Sequence, residues 1–142
     1  MLYSWKRSVA IFVSALFVLA IGVGLKCGNV DRFSAVDGEK TYYLFDASSQ
    51  ALQKRTLRFR DVFFVRGQSV AFENAELEIE SLLQEYAAQT LVMETVGNVT
   101  SYYCYSPVFG AGVSVNGYEV NLHIAKSGTR YTLGTPIIFG GF

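Results

Sequence analysis

The residues able to do nucleophilic or acid–base chemistry in this chain converge on one position. There is a single histidine, so any Ser-His-Asp or Cys-His system must use His123, with Ser106, Ser127 or Cys104 as the conceivable nucleophile. No spacing selects among the three. His123 falls on the polar set of an alternating run from Tyr118 to Ala125, where an exposed histidine without a catalytic task is the plainer expectation. Glu76 and Glu80 are neighbours on one helix turn, which suits surface charge rather than an acid and base facing each other across a cleft. The patterns Gly-x-Ser-x-Gly, Walker A, His-Glu-x-x-His, Cys-x-x-Cys and a Gly-x-Gly-x-x-Gly preceding a helix do not occur in the sequence. Cys27 and Cys104 are the two cysteines. With His123 as their one possible nitrogen partner they make a poor metal set, and no metal or cofactor is expected. Cys104 reads as a buried small hydrophobe; a bridge to Cys27 in an oxidising compartment is the alternative.

Three further constellations suit binding better than catalysis. Tyr102, Tyr103, Tyr105, Phe109 and Tyr118 surround Pro107 and the loop Phe109-Gly110-Ala111-Gly112. Rigid aromatics beside such a loop are what contact surfaces use, and ordinary sheet packing is the competing reading. Lys54, Arg55, Arg58, Arg60 and Arg66, interleaved with Phe59, Phe63 and Phe64, could grip anionic lipid or a nucleic-acid strand from a strand face. Salt bridges to acidic neighbours would leave that face an ordinary solvated one. Twelve bases balance twelve acids, and with Lys6 and Arg7 set aside ten bases face twelve acids, a net of minus two. That balance argues against nucleic acid as the partner. Asn98-Val99-Thr100 is a glycosylation sequon, meaningful only in a pathway that glycosylates.

These side chains must be positioned by a small set of elements. Asp37-Gly38 turns the chain into an expected strand from Thr41 to Ala47, and the run Gln53 to Val65 alternates well enough to predict another. Arg66-Gly67-Gln68 reads as a turn, followed by a short extended piece from Ser69 to Phe72. A helix is expected after an Asn74 N-cap, its core stripe formed by Ala75, Ile79, Leu82, Leu83 and Tyr86. Strands from Thr90 to Val96 and Val99 to Ser106 read as a hairpin about Gly97-Asn98. A second hairpin is centred on Asn116-Gly117, a pair suited to a type I′ turn. Ser127-Gly128 leads into Thr129 to Leu133, and Thr135 to Phe142 reads as a final edge strand. The order predicts an α+β fold, one amphipathic helix packed on a mainly antiparallel sheet.

The chain has 142 residues, 51% of them apolar and 17% charged. That is room for one domain, and intrinsic disorder is excluded. The surplus hydrophobicity lies in Val9 to Leu25, an uncharged segment whose one polar member is Ser14, marked by Val9, Phe12, Leu16, Leu19 and Leu25. As a helix it spans ~25 Å, near the ~30 Å of a hydrocarbon core. Tyr3, Trp5, Lys6 and Arg7 before it and Lys26 after it frame it as a membrane segment. It is long for a signal h-region, and its small residues, Gly22-Val23-Gly24 or Ala20-Ile21-Gly22, are not the usual cleavage pattern, so an anchor is preferred to a cleaved signal. The positive-inside rule puts the N-terminus in the cytoplasm and the domain outside. Residues 1–27 thus read as anchor or signal, 28–40 as a juxtamembrane linker and 41–142 as an extracytoplasmic domain. The expected activity is that of a membrane-tethered or secreted binding module, in contact with lipid through its helix and with a possible protein partner in the envelope. One alternative is a small hydrolase-like enzyme using His123. The other is a binder of anionic lipid or polyanion through Lys54 to Arg66.

Overall fold

The computed structural model describes residues 2–28, 30–46, 48 and 50–139, with side chains from residue 8 onward except 27 and 28. The side chains of Tyr3, Trp5, Lys6, Arg7 and Cys27, and residues 140–142 of the expected final strand, lie outside the described residues. Two compact units are present, Met1–Asp31 and Arg32–Phe142. The first is essentially one helix, α1 (Leu2–Gly28). Within it Ser8–Lys26 is 19 residues long with a mean hydropathy of 2.5, and none of it is buried. The N-terminal apolar helix is therefore long enough to span a membrane or act as a signal.

The second unit is α+β, as the element order predicts. Strands β1 (Glu39–Leu44), β2 (Leu52–Lys54), β3 (Val65–Glu73), β4 (Gln89–Val96), β5 (Val99–Tyr105), β8 (Leu122–Ser127) and β9 (Arg130–Thr135) form one sheet in the order β2-β1-β3-β9-β8-β5-β4. Every neighbouring pair is antiparallel. A separate hairpin, β6 (Val113–Val115) with β7 (Tyr118–Val120), turns at Asn116 and Gly117, whose φ values of 50° and 84° are both left-handed as a type I′ turn requires. The short helix α2 (Ile79–Glu85) packs on one face of the large sheet. Ile79, Leu82 and Tyr86 from the helix meet Val70, Leu122, Ile124, Tyr131 and Leu133 from the sheet. The Tyr131 hydroxyl donates to the Leu77 carbonyl, tying the helix entry to β9. Phe33, from the stretch expected as a linker, lies in this core against Phe109 and Tyr86, with ring centroids 5.5 and 5.9 Å away. The Arg32 backbone N–H donates to Gln68 Oε1 at 2.8 Å, which fixes the start of the unit on β3.

Four expectations need correction. The helix is shorter than its stripe suggested: the Asn74 side chain accepts from Glu76 N–H in a local turn, and α2 starts only after Glu78. It ends at Tyr86 because Ala87 adopts a left-handed φ of 47° while the Ala88 N–H returns to the Leu83 carbonyl, a C-cap geometry usually met by glycine. The run Gln53 to Val65 is not one strand. After β2 it bends into a 3-10 helix (Phe59–Phe64), whose residue Asp61 accepts hydrogen bonds from the Arg58 backbone N–H and the Lys54 ammonium. Arg66-Gly67-Gln68 is not a turn but part of β3, with a register shift opposite Tyr43 and Leu44 that leaves Arg66 as an extra residue in a β-bulge. Finally, the described part of the C-terminal segment is not an edge strand: the sheet edges are β2 and β4, and β9 lies inside.

Candidate functional site

The face of the sheet away from α2 carries alternate residues from five strands, among them Thr41 and Tyr43 of β1, Ser69 and Ala71 of β3, and Arg130 and Thr132 of β9. Registers Thr41↔Ser69, Ala71↔Thr132, Ala125↔Thr132 and Ser101↔Ala125 bring them side by side. The C-terminal segment after β9 crosses part of this face. Two glycines permit the crossing. A Cβ on Gly134 would stand 2.6 Å from Ile138 Cγ1 and 2.8 Å from its backbone nitrogen, and one on Gly67 would stand 2.8 Å from the Thr135 carbonyl oxygen. Phe139 packs edge-on against Tyr43, ring centroids 5.3 Å apart.

His123 lies under this cover, which overturns its expected place on an exposed polar face. It is 3% accessible, its ring stacks on Tyr103 at 4.4 Å, and its Nδ1 accepts from the Ile138 backbone N–H at 3.3 Å. Burial pushes its pKa down to about 4, because desolvation disfavours the charged imidazolium. It is therefore neutral near pH 7. The three conceivable nucleophiles are placed elsewhere. Cys104 is a free thiol fully buried in the core on the α2 side of the sheet, and burial pushes its pKa up. Ser106 donates to the Tyr86 carbonyl and accepts from Val108 N–H. Ser127 accepts from the Asn98 side chain at 2.9 Å, the same amide that a sequon would modify. No described geometry makes His123 a general base for any of them.

The aromatic set does not form one surface. Tyr102 and Phe109 belong to the α2-side core, Tyr103 covers His123 on the opposite face, and Tyr105 and Tyr118 are exposed. The loop beside them is pinned by the fully buried Asn121, a residue sequence reasoning assigned to a wet face. Its Oδ1 accepts from Ser106 N–H at 2.7 Å, and its Nδ2 lies 2.8, 3.3 and 3.0 Å from the carbonyls of Ser106, Phe109 and Gly110. A side-chain amide satisfying four backbone groups substitutes for the missing sheet ladder.

The basic run is likewise divided. Lys54 pairs with Asp61 at 2.8 Å and Arg55 with Glu39. The Lys54 hydrogen bond, then the Arg58 backbone N–H, hold the Asp61 carboxyl below its usual range. Arg58, Arg60 and Arg66 are exposed, and the charge of Arg60 adds to the forces that keep the Asp61 carboxyl low.

Among the described residues the sheet face carries two adjoining depressions. One, of about 210 Å³, is lined by Thr41, Ser69, Thr132, Arg55 and Arg130 among others; the second, of about 170 Å³, by Asn98, Ser127, Arg130 and Thr132. They share Arg130 and Thr132. Hydroxyls with a guanidinium can hydrogen-bond a polar or anionic ligand, and no cluster of three metal-ligating side chains exists among the described residues. Sequence reasoning missed this set, although Thr41/Tyr43, Ser69/Ala71 and Arg130/Thr132 are polar-bearing positions two apart. No family model matches the chain, and no curated protein or solved structure matches it either, so these surfaces are read from their own geometry.

Proposed function

We propose that the protein is a membrane-tethered binding module that holds its Arg32–Phe142 domain outside the cytoplasm. The observation that carries this reading is Ser8–Lys26, a predominantly apolar stretch of 19 residues with a mean hydropathy of 2.5, of which none is buried. An all-round apolar helix needs a hydrocarbon environment. The two bases before it, Lys6 and Arg7, favour a cytoplasmic N-terminus. For binding, the support is the sheet face on which the exposed Arg130 lines two adjoining depressions together with the Thr132 hydroxyl.

Alkaline carbonate extraction followed by protease treatment of sealed vesicles of known sidedness tests the proposal. The chain is expected to stay in the pellet, and its domain to be digested only from the non-cytoplasmic side. Release of a soluble form with a new N-terminus near Gly22 to Leu25 would replace the anchor by a cleaved signal. Digestion from the cytoplasmic side would sink the orientation. For the binding part, a folded Arg130→Ala variant that kept every co-purifying partner would remove the sheet face from consideration.

A further inference from the structure

We infer that the phenylalanine-rich turn between Lys54 and Arg66 is a docking surface for an anionic bilayer surface, inserting rings between headgroups while its arginines meet lipid phosphates. The turn sits at the β2 edge of the sheet. Phe59 is 68% exposed and packs edge-on against Phe63, ring centroids 5.8 Å apart; Phe45 is 60% exposed and packs on Phe64 at 4.8 Å. Leu52, on the neighbouring edge strand, is also exposed. Four exposed rings in two packed pairs on one short segment and its hydrogen-bonded neighbour are the kind of apolar surface that marks an interaction site. Phe45 adds a second sign. Its φ of 68° is left-handed, an uncommon and strained conformation for a bulky residue. The Phe45 N–H donates to the Phe64 carbonyl at 2.8 Å, so this conformation holds the Phe45 and Phe64 rings together at the surface.

Charge decides the kind of partner. Lys54 and Arg55 are engaged by Asp61 and Glu39, while Arg58, Arg60 and Arg66 are exposed and alternate with the phenylalanines along the sequence, and Asp46 beside Phe45 is an exposed acid. Exposed phenylalanines interleaved with exposed arginines match the two layers of a bilayer interface, acyl boundary below and phosphate above. A protein partner would need a complementary acidic rim around an apolar pocket, for which nothing in the chain argues. The tether of the preceding reading supplies local concentration: a domain joined within a few residues to a membrane helix meets the bilayer continuously, so even weak docking is populated. The inference rests on that reading for concentration, not for its chemistry.

The test uses the full chain with Phe59→Trp in a Trp5→Phe background, so that position 59 carries the sole tryptophan. It is reconstituted in phosphatidylcholine discs with or without phosphatidylglycerol, with and without bromine on the acyl chains. Flotation reports incorporation, and circular dichroism with a melting curve checks the fold; position 59 is exposed, so the variant is expected to fold as its parent. Bromolipid is expected to quench the Trp emission about twofold in anionic discs, and adding Arg58→Ala and Arg60→Ala is expected to weaken docking about fivefold per arginine. Equal quenching in neutral and anionic discs would overturn the role of the arginines. A chain that floats with the discs yet shows no quenching in either overturns the docking surface, leaves the tether intact and points to a protein partner instead. A chain that does not float overturns the tether, and added anionic bromolipid vesicles then decide the docking surface alone.

Discussion

Covering an imidazole with backbone disfavours its charged form, and this makes His123 a reporter of acid stability. Its pKa is about 4 in the folded protein against ~6.5 in an unfolded chain. As pH falls through this window the unfolded chain binds a proton that the folded one refuses, so stability is fully present above ~6.5 and is lost on the way down to ~4, by about 3 kcal/mol in all. Urea unfolding of the parent and of His123→Gln at a series of pH values checks this: the parent is expected to show the steeper acid loss across that window. Parallel profiles would refute the buried-neutral state. The chemistry of this residue was legible in the sequence, but its environment was not. Strand alternation assigns His123 a face; whether that face is covered depends on Ile138, fifteen residues further on and placed by folding. Asn121 follows the same logic, since its polarity serves four backbone groups of one loop instead of solvent.

Elements whose determinants are local were legible. The Gly97-Asn98 and Asn116-Gly117 hairpins form where positive φ is needed and tolerated, and Ile79, Leu82 and Tyr86 face the core at helical spacing. The C-terminal segment was not legible, because the contacts that place it lie on other strands. Gly134 is the hinge of that arrangement. Gly134→Ala is expected to force Ile138 away, costing about 1–3 kcal/mol as overpacking does, and to raise hydrogen exchange of the Ile137–Phe139 amides above the rest of the domain. An unchanged exchange pattern would mean that the segment does not depend on this close approach. The run from Gln53 to Val65 misled for a related reason: its alternation is that of a strand, but a buried carboxylate at Asp61 takes the Lys54 ammonium and the Arg58 N–H and curls the chain into a 3-10 helix.

At the scale of the molecule, the buried cluster that packs under α2 is made of residues from Arg32–Phe142. A chain beginning at Arg32 is therefore expected to unfold cooperatively, with a midpoint within about 4 °C of the full protein in detergent, the shift of roughly 1 kcal/mol for a domain of this size. Loss of cooperative unfolding would show that residues before Arg32 complete the core. The sequence by itself determined the division of the chain into an apolar N-terminal helix and an α+β domain, because hydropathy, helical spacing and turn chemistry act over a few neighbouring residues. Only the tertiary structure decided which polar residues see water. It buried His123 and Asn121, consumed Lys54 and Arg55 in ion pairs, separated Tyr102 from Tyr103, and left Arg130 and the phenylalanines of the Lys54–Arg66 turn exposed. Exposure is set by what packs over a residue, and here the covering groups come from strands and segments far along the chain.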